Sequence, residues 1–566
     1  MKKIFYYILL SAMCILPFSC SLDEESRTEI DKTRFMMNAQ EAETVLLGVY
    51  QSLVSDAMYG YNLSILFNLA TDCEQVEGNT TENYRIIPSN AFNSSQAEVQ
   101  ATWAALYKAI YNANDFIEII QQRMKIYTET DRQLAYFYIA EARAIRGMCY
   151  FELVRRFGNV PLMTSTAMSE QAPSTFVQEK PEVIYEYIEK DLIHASQTLP
   201  YASENSDNKF RITKGAALGL LTKVYATWAG YPVKDESKWE EAAKTAKVLV
   251  ESKQHSLLND YEQLWINTCN GVWDPTESLI EISFYSPTAS GGASDPCGRI
   301  GKWNGVKTTV IAGERGSCAG NVKVIHPFVL KWRTKDLAEG EEYNEETVKD
   351  KRLNLSVANY QYNPTKTLYA KGKSDTEAKA IENDRKPDMK NKEKQNYTPA
   401  KWDIEKYVQN KLINNDKSNV NWYFLRYADV LLLYAEALNE WKGSPTPEAY
   451  AAINEVRRRA FGNNDHDLKG LSPEEFRQAV QDERAYELAF EGHRRMDLVR
   501  WGIYYKTVKT TSNAINLWFQ DNDPEKNKPY NTAGRYTKLG KHELYPIPQR
   551  DMDLCEQFVQ NPNWEQ

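Results

Sequence analysis

Apolar positions repeat at helical spacing through the first half of the chain. Six of them lie within one third of a helix circumference and predict an amphipathic helix with a buried stripe: Leu134, Phe137, Tyr138, Ile145, Met148 and Cys149. The pattern stops near Phe157, where Gly158 and then Pro161 are typical of a helix end. Further helices are predicted from Thr213 to Trp228 and from Trp239 onward. Residues 39–265 are therefore predicted to form a helical region.

The same succession of helix, short turn and helix returns in residues 421–566. Phe424 to Glu440 is apolar on nearly every side, which predicts an inner helix, and a returning helix is predicted from Glu448 to Ala460. Ser472-Pro473-Glu474-Glu475 predicts a capping box with proline at the first helical position. Small residues at the expected helix contacts favour tetratricopeptide-like pairs: Ala226, Ala435 and Ala437. No strict period of about 34 residues is present, so the repeats are predicted to be degenerate.

Between these helical regions, residues 266–420 have a different pattern. Ser278 to Phe284 alternates like a short strand. Glycine-rich loops follow, with glycines at 291, 292, 298, 301, 305, 313, 316 and 320. Residues 371–394 are charged, contain no aromatic residue and are predicted to form a mobile surface loop. Because long irregular segments of compact proteins commonly carry binding residues, this region is predicted to bind the ligand.

The first residues carry an export signal. Lys2 and Lys3 precede an apolar run from Ile4 to Phe18, a length typical of a secretory signal peptide and short for a spanning helix. Cys20 follows a small residue, at the acyl-acceptor position of bacterial lipoproteins. Residues 1–19 are therefore predicted to be a lipoprotein signal peptide, with residues 20–38 as a lipidated flexible tether. An ordinary signal peptide cut nearby is the alternative, since Pro17 stands where lipoproteins usually have an aliphatic residue.

Charge and composition limit the classes of molecule that the protein is expected to bind. The formal charge of the chain is −9, and removal of residues 1–19, which carry two lysines, leaves −11. Nucleic acid is therefore an unfavourable partner. Aromatic residues make up 12% of the chain, with 13 Trp and 35 Tyr. Aromatic rings fill cores, but they also form flat platforms for the apolar faces of sugar rings.

The sequence offers little catalytic or metal chemistry. No motif of a zinc protease, a serine hydrolase or a phosphate-binding loop occurs, and no cofactor or metal site is predicted. The eight cysteines contain no C-x-x-C pair, and Cys297 with Cys318 is the pair to examine first for a disulfide. Asn463, Asp465 and Asp467 have part of the spacing of a calcium loop, but Leu468 replaces its required glycine. A polar loop before the capping box is the favoured interpretation.

Several segments resemble the SusD/RagB family of Bacteroidetes outer-membrane lipoproteins. In the C-terminal third the resemblance rests on Arg426 to Asn439, Ile453 to Arg457, Glu483 to Gly502, Leu544 to Arg550 and Gln560 to Asn563. In the N-terminal half it rests on Glu141 to Arg146, Arg155 to Leu162 and Thr213 to Ala217. The acids just after Cys20 also resemble the tag that sends such lipoproteins to the outer face of the outer membrane. The resemblance covers nearly the whole mature chain.

The resemblance implies a fold and a role. The expected fold is mostly α, a superhelical scaffold of degenerate helix pairs with a loop-rich insertion containing a few short strands. The expected role is a cell-surface, lipid-anchored protein that captures oligosaccharide without cleaving it. Its expected partner is a TonB-dependent outer-membrane transporter of the SusC type. A peptide-binding protein of the RagB branch, a surface glycoside hydrolase and a purely structural repeat scaffold remain as alternatives.

Two groups of residues are singled out for the site. The ligand is expected to touch at least one of five residues in irregular segments: Asp72, Tyr84, Trp273, Tyr285 and Trp303. The second group is acidic, because Glu483, Glu487 and Glu491 recur on one helical face. Four arginines accompany them: Arg484, Arg494, Arg495 and Arg500. A buried ion-pair network that locks helices together is the favoured interpretation of this group, in place of catalysis.

Overall fold

A computed structural model of the protein describes residues 35–78, 80, 82–205, 209–287, 296–310, 316–337, 341, 348–362, 397–409, 413–522 and 530–564. The predicted signal peptide, Cys20 and the predicted loop 371–394 lie outside these residues. The helices are α1 (Ala39–Gln51), α2 (Asn83–Ile86), α3 (Ala97–Arg123), α4 (Glu129–Phe157), α5 (Thr166–Ser169), α6 (Pro181–Thr198), α7 (Lys214–Trp228), α8 (Lys238–Ser252), α9 (Tyr261–Cys269), α10 (His326–Thr334), α11 (Arg352–Ser356), α12 (Ile404–Tyr407), α13 (Tyr427–Lys442), α14 (Pro447–Phe461), α15 (Pro473–Glu487), α16 (Arg494–Arg500), α17 (Tyr504–Asn522), α18 (Thr532–Tyr536) and α19 (Gln549–Leu554). The strands are β1 (Glu74–Val76), β2 (Ser278–Ile282), β3 (Val322–Val324), β4 (Val357–Ala358), β5 (Thr398–Pro399) and β6 (Trp422–Arg426). The predicted mostly helical fold with a few short strands is confirmed.

The long helices pack on one another largely in chain order. α4 lies against α3 and α6, α7 lies against α6 and α8, and α8 lies against α13, which also contacts α14 and α15. Short connections between such helices favour antiparallel neighbours. One continuous apolar core runs through the array, from Met36 to Trp564. Whether the pairs are tetratricopeptide repeats stays a prediction, as do the boundaries of the three regions.

Capping residues fix the ends of α4 and α7. Thr128 begins α4 by accepting a hydrogen bond from the backbone N–H of Asp131, and Gly158 ends it with φ of 70°, a conformation that glycine adopts without strain. Thr213 caps α7 in the same way. The predicted stripe of α4 is only partly right. Leu134 is exposed because the first turns of α4 border solvent, whereas Tyr138 and the residues after it are mostly buried.

The inner helix of the C-terminal region is α13, in which every side chain from Tyr427 to Asn439 is buried. Its predicted start at Phe424 is wrong, because Phe424 belongs to β6. Strand and helix follow one another without a loop, and both are apolar. An apolar run of this kind does not reveal by periodicity where a strand changes into a helix.

Within the described residues, three two-stranded antiparallel sheets join distant parts of the chain. β1 pairs with β3, with Glu74 opposite Val324, and β2 pairs with β6, with Ile282 opposite Trp422. β4 pairs with β5. The predicted strand beginning at Ser278 is confirmed as β2. These pairings hold the segments of the loop-rich region against the helical array.

A buried ion network lies between α15 and its neighbours. Glu487 on α15 accepts hydrogen bonds from Arg352 at 3.0 Å, from Arg426 at 3.1 Å and from Arg459 at 2.7 Å. Glu491 accepts from Arg426 at 2.7 Å and from Lys401 at 2.7 Å. All these side chains have 4% exposure or less. Glu483 likewise pairs with Arg352 and Arg457, so the structural interpretation of the acids is confirmed. The prediction that the three acids share one helical face is wrong, because α15 ends at Glu487 and Glu491 lies beyond it.

The arginines near these acids do not supply their partners. Arg484 and Arg500 both bind Asp497, while Arg494 binds Asp72. Arg495 instead donates to the backbone carbonyls of Leu69 and His542 and to Asn90. Residues adjacent in sequence point from a helix in different directions, so the acids are paired by arginines from other segments.

The described residues also bear on the cysteine pair, the loop before α15, metal ions and membrane-spanning helices. Cys297 and Cys318 are buried thiols that form no disulfide. Ser472 and Glu475 form the predicted capping box of α15, and Asp467 of the loop before it binds Arg458. In the described part of the chain no group of three acidic, histidine or cysteine side chains could hold a metal ion. No described helix is long and apolar enough to cross a membrane.

Candidate functional site

A partly exposed group of aromatic and charged side chains forms where three distant segments meet. We call it the Trp303 cluster, and it consists of Asp56, Tyr61, Tyr84, Arg299, Trp303 and Asp416. The rings of Trp303 and Tyr84 meet edge to face, with centroids 4.8 Å apart. The ring of Tyr61 lies on another side of Trp303, with centroids 5.1 Å apart. The cluster therefore combines residues that are up to 360 positions apart in the chain.

Backbone hydrogen bonds hold the segment that carries Trp303. Gly298 and Ser418 exchange a pair of N–H to O=C bonds of 3.1 and 2.8 Å. The next N–H, of Arg299, donates to the carbonyl of Gly60 at 2.8 Å. These bonds fasten the segment both to the N-terminal region and to residues 416–420. The aromatic rings are thus presented by a fixed backbone.

Arg299 organises the charged side of the cluster. Its guanidinium donates to Asp56 at 3.0 Å, binds Asp416 as well, and lies 5.1 Å above the centre of the Tyr61 ring. Asp416 in turn accepts a 2.9 Å hydrogen bond from the indole N–H of Trp303. Lys417 binds the other oxygen of Asp56. Asp56 and Asp416 are therefore balanced by Arg299 and the adjoining Lys417, and the formal charge of the cluster together with Lys417 is zero.

Exposure leaves these groups accessible to a ligand. The side chains of Asp416 and Asp56 have exposed fractions of 45% and 37%, and that of Arg299 has 22%. Trp303 and Tyr84 are half-buried. Burial raises the pKa of Tyr61, so its hydroxyl stays protonated at neutral pH. Aromatic faces beside polar groups suit an uncharged molecule with apolar faces and many hydroxyl groups.

The geometry assigns the five predicted residues to different places. Trp303 and Tyr84 meet in the cluster, although Tyr84 lies on the short helix α2 and not in the irregular segment predicted for it. Tyr285 and Trp273 lie elsewhere: Tyr285 is 69% exposed, and Trp273 packs on Phe210 at a centroid distance of 6.3 Å. Only the first two of these four aromatic residues therefore belong to the Trp303 cluster.

Asp72 lies in an ion pair that connects two parts of the fold. Arg494 donates to its two carboxylate oxygens at 2.8 and 2.7 Å. Burial alone would raise the pKa of Asp72, but the Arg494 guanidinium lowers it below its ordinary value. Asp72 is thus half of an ion pair that joins the β1 region to α16, and it is no member of the cluster.

Sequence reasoning missed the residues that complete the cluster. Arg299 lies between Gly298 and Gly301, two of the glycines that marked the irregular loops, and Gly301 has φ of 76°. These glycines indicated a sharply turning backbone, but they did not distinguish Arg299 from its neighbours. Tyr61 and Asp416 have no distinctive sequence context, since their role depends on contacts with residues more than 100 positions away.

Two family models match the chain. The model described as the SusD family matches residues 270–564. A second model, described as starch-binding and associating with the outer membrane, matches residues 22–226. Together the two matches include both the helical regions and the segment that carries Trp303.

Individual relatives agree with these matches. A solved SusD homolog from Bacteroides thetaiotaomicron is 64% identical with a TM-score of 0.85, covering 96% of this chain and 100% of that chain. SusD-like protein P25 of Formosa agariphila is 26% identical, covering 90% of this chain and 91% of its own length. A solved laminarin-binding SusD-like protein, at 23% identity and a TM-score of 0.65, covers 93% of this chain and 99% of its own and shares the fold. The chain belongs to the SusD family.

Proposed function

We propose that the protein captures a neutral oligosaccharide at the cell surface and that the Trp303 cluster is its binding site. The observation that carries the proposal is the half-buried pair of Trp303 and Tyr84, in contact with the buried ring of Tyr61, beside the Arg299 ion pairs. The apolar face of a sugar ring would lie on the aromatic side chains. The hydroxyl groups of the sugar would bind the carboxylate and guanidinium groups.

The charge balance of the cluster supports a neutral ligand. Each cation of the group already binds a carboxylate, so no unpaired charge is available there for a sulfate or uronate. Relatives with this fold are described as binding laminarin or laminarihexaose, which are uncharged glucans. They are less than 25% identical to this chain, so they suggest the first ligands to test and not the ligand itself.

Binding without cleavage is part of the proposal. Glycoside hydrolysis commonly requires one carboxyl group that carries a proton and a second that is ionised. In the Trp303 cluster both carboxylates are already held in ion pairs, Asp56 with Arg299 and Lys417 and Asp416 with Arg299. The arrangement therefore favours glycan binding over glycoside hydrolysis, and a peptide-binding RagB-like protein remains the alternative that the binding experiment must distinguish.

Replacement of Trp303 tests the site. We expect Trp303→Ala to weaken binding about 10- to 100-fold, or about 1.4 to 2.8 kcal/mol, because it removes the central ring and a hydrogen bond to Asp416. Trp303→Phe should retain part of the affinity. The measurement is isothermal titration with laminarihexaose, maltohexaose, cellohexaose and xylohexaose.

Tyr136→Ala is the control for this experiment, since Tyr136 is 47% exposed on α4 and outside the cluster. Its affinity should equal that of the wild type. Release of shorter sugars by the purified protein would instead indicate a hydrolase. Binding of a peptide digest without binding of any glycan would favour the RagB-like alternative.

The anchor and the transporter belong to the same proposal. We propose that Cys20 carries the acyl chains that hold the protein at the outer membrane, beside a SusC-like TonB-dependent transporter. The signal-peptide pattern of residues 1–19 and the match to a family model described as associating with the outer membrane support it.

Surface labelling of intact cells tests the anchor. Tagged wild-type protein should be labelled and should co-purify with a barrel transporter from detergent extracts of the outer membrane. Cys20→Ala should lose the labelling, because a chain without Cys20 cannot be acylated and therefore lacks its lipid anchor. Equal labelling of both proteins would contradict the anchor, and extraction without any transporter would contradict the partnership.

A further inference from the structure

We propose that a second carbohydrate-binding site lies beside the Trp303 cluster, on a ridge formed by Phe210, Trp273 and Tyr285. The inference rests on the proposed glycan-binding function and extends it to a longer chain of sugars. We call the three residues the Phe210 ridge. Phe210 and Trp273 are half-buried, and their ring centroids are 6.3 Å apart.

The ridge exposes more aromatic surface than a packing role requires. Tyr285 is 69% exposed, the largest exposed fraction of any aromatic side chain that the structure describes. Phe210 has φ of 59°, in the left-handed region that bulky residues rarely adopt. Strain of this kind persists mainly where the surroundings or the function require it. A strained position that lines the same cavities as the exposed Tyr285 is favourable for a ligand contact.

Phe210 and Tyr285 of the ridge separate two cavities. One, of about 560 Å³, lies between the ridge and α1, where it is also lined by Leu47 and Gln51. The other, of about 410 Å³, is lined on its far side by Gly271 and Asn419. Phe210, Ser283 and Tyr285 line both cavities, so they form the wall between them. Sugar rings could therefore lie against either side of this wall.

The backbone of the ridge is held in place before any ligand binds. The N–H of Tyr285 donates to the carbonyl of Pro296 at 2.9 Å. Asn419 binds the next residue, Ser286, twice: its carbonyl oxygen accepts at 2.9 Å, and its amide N–H donates to the backbone at 3.0 Å. With the backbone already fixed, only the side-chain torsions of Tyr285 have to be ordered on binding, which favours affinity.

The ridge adjoins the Trp303 cluster through residues 416–420. Asp416 belongs to the cluster, and Asn419 lines a cavity of the ridge three residues later. Three residues span at most about 11 Å of extended chain. The paired Gly298 and Ser418 lie between the two surfaces. A single glycan could thus contact both surfaces, and its affinity would then exceed that for either one.

Native gels containing laminarin, amylopectin, xyloglucan or galactomannan test the second site. The variant is Phe210→Gly combined with Tyr285→Ala. Glycine relieves the left-handed backbone, so the single variant Phe210→Gly should melt at the wild-type temperature or higher. In each gel that retards the wild type, the double variant should bind roughly fivefold more weakly or worse.

Trp303→Ala and Tyr136→Ala run in the same gels as comparisons. If Trp303→Ala lowers retardation and the folded double variant migrates like the wild type, the second site is wrong and the proposed function stands. If none of the four polysaccharides retards the wild type, the proposed function is wrong and the second site with it. Weakening by both variants, with Tyr136→Ala unchanged, is the expected result.

Discussion

Arg426→Ala is expected to destabilise the protein by about 3 to 5 kcal/mol, the typical cost of removing one partner from a buried ion pair. Arg426 binds Glu277 at 2.6 Å, Glu491 at 2.7 Å and Glu487 at 3.1 Å, and its side chain is 1% exposed. Its loss leaves negative charges buried with fewer partners. Thermal unfolding followed by calorimetry, together with the soluble yield, measures the effect.

Acid titration gives an independent check on this network. Burial alone would raise the pKa of Glu491, but Arg426 and Lys401 lower it to about 2. A lowered pKa means that Glu491 stabilises the fold above its ordinary pKa of 4.5 and that this contribution is lost as the pH falls through about 2. Without Arg426 the pKa of Glu491 should rise toward its ordinary value, so the acid-induced loss of stability from this group should be smaller and should be complete at higher pH.

Arg132→Ala is the matched control for Arg426→Ala. Arg132 forms a 3.0 Å ion pair with Glu129, but the two side chains have exposed fractions of 38% and 73%. Exposed pairs contribute about 0 to 1 kcal/mol, so this variant should unfold close to the wild type. Similar melting temperatures for both variants would show that the buried network does not stabilise the fold.

Gly305→Ala is expected to disturb the fold and the Trp303 cluster together. A Cβ atom at Gly305 would lie 2.2 Å from the carbonyl oxygen of Gly301 and 2.7 Å from that of Trp402. Both contacts are with backbone, so the turn that contains Trp303 must move. We expect a loss of about 1 to 3 kcal/mol of stability, as in other overpacked sites, and weaker glycan binding than in Trp303→Phe.

Gly48→Ala is the control for this glycine. Gly48 is exposed on α1, and a Cβ atom there meets nothing within 4 Å. Alanine in a helix should stabilise it by roughly 0.5 to 1 kcal/mol, with no effect on binding. Wild-type stability and affinity in Gly305→Ala would mean that this turn adapts without displacing Trp303.

Local sequence patterns predicted the helices well because the residues that begin and end each helix lie next to it in the sequence. Thr213 and Ser472 cap helices where the sequence placed them, and Gly158 ends α4 as expected. The error at Phe424 arose where an apolar strand continues directly into an apolar helix. The partner of β2 could not be predicted either, since β6 lies more than 130 residues downstream.

The candidate site was predictable only in part. Trp303 and Tyr84 were selected because exposed loops with aromatic residues commonly bind ligands. Arg299 and Asp416 could not be selected, because an isolated charged residue in a sequence shows neither its ion-pair partner nor its ring contact. Their importance follows from distances between side chains in the folded protein, and positions in the sequence do not reveal those distances.

The Gly298–Ser418 pairing and the bond from Arg299 to Gly60 have a practical consequence for dissecting this protein. Each of these backbone hydrogen bonds joins segments that are distant in sequence, and the side chains of the Trp303 cluster come from several such segments. No fragment shorter than residues 56–416 carries the whole set. Grafting residues 266–420 onto another scaffold would transfer Trp303 and Arg299 without Tyr61 and Tyr84. Selectivity is therefore better engineered by point substitutions within the intact chain than by exchanging modules.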